Sequence, residues 1–139
     1  MRSLIVAAFV SLAVPASAQS DEDTPHRIAA ERIPLSGDPV DIAGCATRVL
    51  GRSGKAQPYP IRDGAGLGWT IPDMMFGIQS DEIIDMQFRR DNSGAFLKVL
   101  YRHPFSDDAA LKYVRKAAKA CFRADWNAWA AMNGRKAVR

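Results

Sequence analysis

The sequence predicts a small α+β domain: an antiparallel sheet of three to four strands with a central hairpin, packed against an N-terminal helix and a long C-terminal helix and stapled by one disulfide. Three observations predict it. Ile84, Met86 and Phe88 alternate with Asp85, Gln87 and Arg89, the turn-forming run Asp91-Asn92-Ser93-Gly94 follows, and a second β-favouring run covers 95–102. Segments on either side of this hairpin carry apolar residues at helical spacing. The chain's two cysteines, Cys45 and Cys121, each fall on the apolar side of one of those segments.

The 139 residues fit one domain of ordinary size, and the N-terminus reads as an export leader. Arg2 supplies the positive start, Leu4 to Val14 form an apolar run broken only by Ser11, and Pro15 leads into Ala16-Ser17-Ala18. Residues 1–18 are therefore expected to be a secretory signal peptide cut after Ala18. The apolar run is too short for a membrane span, which takes about 20 helical residues, and no later stretch approaches that length. The expected location is outside the cytoplasm, in the periplasm or secreted, with no transmembrane segment in the mature chain.

Residues 19–37 open with Asp21, Glu22 and Asp23 and show no clear apolar period, so they read as a mobile acidic tail with an extended lead-in around Ile33-Pro34-Leu35. The globular domain is expected over 38–139. Its first helix is marked by Asp38 as N-cap, Pro39 at the first helical position and Gly51 as a left-handed exit. At 100° per residue Ile42, Cys45, Ala46, Val49 and Leu50 share one side. Glycines and prolines punctuate 51–68 heavily enough to read as a long loop, and 69–78, interrupted by Pro72, reads as one or two short strands.

The last helix is expected to run from its Ser106 cap to about Asn133, with Gly134 as the stop. Leu111, Val114, Ala118, Cys121, Ala128, Trp129 and Met132 fall on one side of it. Asp125 also falls on that side, and because a lone buried carboxylate is costly it signals a kink or break near 123–126. The expected core is Ile84, Met86, Phe88, Leu97, Val99, Leu111, Val114 and Trp129. Phe96 and Leu100 are also apolar, which leaves the second face of the hairpin ambiguous. An exported chain with one cysteine on each helix is expected to join Cys45 to Cys121.

Few residues point to catalysis. Gly64-Ala65-Gly66-Leu67-Gly68 lacks the spacing and the following helix of a dinucleotide fingerprint, and Gly51-Arg52-Ser53-Gly54-Lys55 lacks the gap and hydroxyl of a P-loop. Neither cysteine has a histidine at ligand spacing, so no metal or cofactor is expected. His103, with Ser106, Asp107 and Asp108 nearby in sequence, supports an alternative reading as a small hydrolase-like enzyme. An exported enzyme inhibitor is a further alternative.

Charge is distributed unevenly. Residues 111–139 carry eight basic side chains against one acid, Asp125. Lys112, Arg115, Lys116, Lys119 and Arg123 fall within about 100° of arc on the polar side of the last helix, with Trp126 at the flank. The leading expectation is a non-enzymatic exported protein that binds or supports an anionic envelope component, or a protein, through this face. The leader argues against nucleic acid as the partner.

Overall fold

The computed structural model of the chain describes residues 26–70, 82–102 and 105–134. In chain order the elements are β1 (Arg27–Ser36), α1 (Pro39–Leu50), β2 (Lys55–Ile61), β3 (Gly64–Thr70), β4 (Ile84–Asp91), β5 (Gly94–Tyr101), α2 (Asp107–Cys121), β6 (Arg123–Ala124) and α3 (Trp126–Met132). The strands form one six-stranded antiparallel sheet in the order β2-β3-β4-β5-β1-β6. This is an α+β arrangement, but it corrects the expected three to four strands and the expected long C-terminal helix. Four strands, β1, β2, β3 and β6, lie outside the expected hairpin, and the last helix is two short ones.

The extra strands have identifiable causes. β1 lies in the stretch read as tail and lead-in, and its pairing with β5 slips between Ile28 and Ala30 and again between Ala30 and Ile33. Those bulges put Ala30 and Ile33 in the core while Glu31 and Arg32 between them reach partners on the other face, so the period of two is lost. β2 and β3 occupy the stretch read as loop. β2 is an edge strand, where Pro58 and Pro60 are tolerated. It joins β3 through Arg62-Asp63, with Asp63 at φ 63° in the left-handed region. In β3 the glycines at 64, 66 and 68 all point to one face while Leu67 and Trp69 point to the core.

The sheet's inner face carries Leu67, Trp69, Ile84, Met86, Phe88, Leu97 and Val99, each at most 1% exposed. The helices cover it with Ile42, Ala46 and Leu50 from α1, Leu111, Val114 and Ala117 from α2, and Trp129 from α3. All eight expected core residues are buried. Phe96 and Leu100 are half-buried on the opposite face, where the Arg32 guanidinium lies 4.0 Å from the Phe96 ring centroid and pairs with Asp91 at 2.6 Å. That ion pair holds the exposed Asp91 carboxyl down to about 2.

Asp38 caps α1 by accepting from Val40 and Asp41 N–H, whereas Gly51 ends it at φ −61°, in the right-handed region and not the left-handed one expected. Ser106 caps α2 through Ala109 N–H. The expected break is where Asp125 placed it. Phe122 turns extended (φ −157°, ψ 162°), Arg123 and Ala124 pair with Ser36 and Leu35 of β1, and Asp125 caps α3 by accepting from Ala128 N–H at 2.8 Å. Cys45 and Cys121 are joined, with Cα atoms 5.5 Å apart, so the end of α2 is fixed to α1. Residues 71–81 lie outside the described residues, so the strands expected over 69–78 are accounted for only as far as Trp69 and Thr70, which belong to β3.

Candidate functional site

The break after α2 shapes a concavity. α2 turns Ala110, Leu111, Val114, Ala117 and Ala118 inward, which leaves Lys112, Lys116 and Lys119 exposed on its outer side. Phe122 sends its ring inward against Phe88, edge to face at 5.6 Å, and this anchors the turn into β6. Arg123 then projects outward and α3 starts with Trp126 beside α2. The resulting groove of about 990 Å³ is lined by Lys112, Arg115, Lys116, Lys119, Arg123 and Trp126, with Tyr113, Ala118, Phe122 and Ala124. All six residues singled out in the sequence are in this lining. Among the described residues it holds five cationic side chains and no carboxylate.

Trp126 and Arg115 organise the groove. Trp126 is half-buried and packs edge to face on Trp129 at 6.4 Å, and the Arg115 guanidinium carbon lies 5.2 Å from the Trp126 ring centroid. Stacking on an indole orients a guanidinium. Arg115 Nε is buried and without a hydrogen-bond partner. Lys119 also lies in the last turn of α2, where a cation offsets the negative helix end, so part of its role is structural.

A second polar constellation, absent from the sequence reading, lies on the sheet face opposite the helices. Asp85 of β4 is 6% exposed and accepts from the Tyr59 hydroxyl and, at 3.0 Å, from Gln87 Nε2. The β3 glycines make this possible. A Cβ on Gly66 would fall 2.1 Å from the Tyr59 ring and one on Gly68 would fall 2.8 Å from the Glu82 carboxyl carbon, so Tyr59 and Glu82 both lie across bare backbone. The alternation of glycine at 64, 66 and 68 was the available signal, and it reads as close approach of side chains, not as a phosphate cradle. Gly66→Ala is expected to displace the Tyr59 ring, strand Asp85 and cost about 1–3 kcal/mol, read from the urea midpoint. An unchanged midpoint would show that the ring is not held there.

Burial, and then the neighbouring Asp85, push the Glu82 carboxyl up to about 7. Burial also raises Tyr59, with Asp85 adding to it. His26 accepts from Arg102 Nε at 3.0 Å and is lowered, by burial first and then by the Arg102 charge. Because the Glu82 pKa is above its unfolded value of 4.5, the native state binds the extra proton. Its contribution is complete below about 4.5 and is lost as pH rises to about 7. With Glu82 only half-buried, solvent screening reduces the effect to about 1 kcal/mol, or roughly 5 °C in Tm. Glu82→Gln is expected to abolish this fall, while His26, shifted the opposite way, still titrates in both proteins. An identical pH profile for the two would remove Glu82 as the source.

His103 lies outside the described residues, so the hydrolase-like arrangement around it has no geometry here. Asp107 and Asp108 stand in the first turn of α2, and Asp107 raises Tyr101 by hydrogen bonding. Among the described residues no three His, Cys, Asp or Glu side chains are placed to share a metal ion, and no helix is long and apolar enough to cross a membrane. No family model, curated protein or solved structure matches the chain.

Proposed function

We propose that the chain is an exported binding protein that holds an anionic component of the cell envelope in the groove formed by α2, β6 and α3. The observation that carries this reading is the convergence of five cations and an indole on one concavity whose lining, among the described residues, contains no carboxylate. Such a wall concentrates positive potential in a recess, where it attracts an anion more strongly than the same charges spread over a convex surface. The leader pattern of residues 1–18 and the Cys45–Cys121 bond support an oxidising, extracytoplasmic setting.

Retention on phosphate-bearing cellulose against uncharged cellulose tests the binding reading. Lys112→Gln/Lys116→Gln/Lys119→Gln is expected to lower the salt needed for elution by half or more. A control of equal charge change, Arg52→Gln/Lys55→Gln/Arg62→Gln on exposed positions around β2, should lower it far less. Equal losses would reduce the effect to net charge and contradict the proposal. Intact mass of the protein recovered from the host envelope tests export: a chain beginning at Gln19 is expected, and one retaining Met1 would contradict it.

A further inference from the structure

The geometry points to an extended phosphate-bearing polymer strand as the occupant of the groove, lying along α2 with at least three of its anionic groups in contact. This rests on the anion-binding reading above and specifies its ligand.

Length disfavours a single small anion as the full occupant. At 1.5 Å per residue, Lys112 to Lys119 extends about 10 Å along α2, and Arg123 lies beyond the helix end. One phosphate, reaching its donors at about 3 Å, meets cations a turn apart readily, whereas meeting both ends of that row draws the Lys112 and Lys119 arms along the helix onto one point against their mutual repulsion. A ligand that meets the whole row repeats its charge.

Shape favours a strand over a bilayer surface. A protein that rests on a membrane presents protruding apolar side chains to it. Here Trp126 is half-buried, with Trp129 at its edge and Arg115 over its ring. Ile28, Val40 and Met132, the exposed large apolar residues among those described, are all outside the groove lining.

Chemistry favours phosphate over carboxylate. The cations converge from two elements, α2 and β6, and three of the five are lysines, which bind as point charges without a planar match. A phosphate group presents oxygens in diverging directions and can be shared among them, whereas a planar carboxylate suits a single guanidinium fork. Arg115 lines the groove with its guanidinium held near the Trp126 ring, so one cation of the wall is oriented before a phosphate arrives.

Calorimetric titration of the purified protein with orthophosphate, tripolyphosphate, long-chain polyphosphate, polyglutamate and phosphatidylglycerol vesicles tests the proposal. Tripolyphosphate is expected to bind at least 10-fold more tightly than orthophosphate. Long-chain polyphosphate should bind with a log–log salt slope of about −2 to −3, as for release of counterions from three or four phosphate contacts. Arg115→Gln should weaken the polyphosphate complex about 10-fold with its Tm unchanged, and Lys116→Gln reads the same groove if that variant does not fold. Binding no tighter for chains than for orthophosphate, equal for polyglutamate, or confined to vesicles overturns the strand proposal and leaves the anion-binding reading standing. Absence of binding to all five probes overturns that reading as well.

Discussion

Replacing Cys45 and Cys121 together by alanine lowers the stability of the folded chain by about 2–5 kcal/mol, and the melting temperature by roughly 10–20 °C. The bond closes a loop with a sequence separation of 76, for which the chain-entropy expression gives about 4.5 kcal/mol as an upper figure. That is a large share of the 5–15 kcal/mol typical of a whole domain. The consequence extends to the groove. Cys121 is the last residue of α2, and the chain reverses immediately after it through Phe122 and Arg123. Loss of the bond frees the end of the helix that carries the lysines, so anion binding should weaken along with stability. Scanning calorimetry with and without reductant checks this, and a melting temperature unmoved by the double substitution would contradict it.

Trp69→Ala is expected to cost about 3–5 kcal/mol, the range for removing a fully buried large aromatic side chain. Trp69 is 1% exposed and ties three elements together. Its backbone belongs to β3, its Nε1–H donates to the Leu50 carbonyl at the end of α1 at 3.0 Å, and its ring lies 4.6 Å from Tyr113 of α2 and 6.5 Å from Phe105. Trp69→Phe keeps much of the packing and loses the hydrogen bond, so it should cost less, about 1–2 kcal/mol. Urea unfolding of both variants is the measurement. A loss under 1 kcal/mol for the alanine variant would show that the sheet and helices do not meet as described.

Legibility followed the strength of the local pattern. The β4–β5 hairpin was readable because Ile84, Met86 and Phe88 alternate without interruption and the turn at Asn92-Ser93 has a glycine at its exit. The first helix was readable from Asp38 and Pro39, and the interruption of the last helix from Asp125, although its sign as a cap was recognised only as a carboxylate out of place. β1 was hidden because two register slips spread its buried residues over 29, 30 and 33. β2 and β3 were hidden because glycine and proline, which ordinarily mark loops, serve here as bare backbone beneath Tyr59 and Glu82 and as an edge that tolerates missing donors.

The basic stripe was legible because one helix carries most of it. What could not be read was that the chain turns back at Phe122, so that Arg123 and Trp126 close a recess around a row that helical periodicity alone leaves convex. The carboxyl cluster escaped altogether. Asp85 looked like the polar half of a strand alternation, and its partner Tyr59 lies two strands away, across a β3 whose positions 64, 66 and 68 on that face are glycine.

Ligand binding in the α2–β6–α3 recess is read out residue by residue by amide chemical-shift mapping during titration with long-chain polyphosphate. The predicted result is a contiguous set of shifts over 112–126, including the Trp126 indole N–H, with the Tyr59–Asp85 face of the sheet unmoved. Shifts concentrated on that sheet face, or scattered evenly over exposed lysines and arginines, would contradict it.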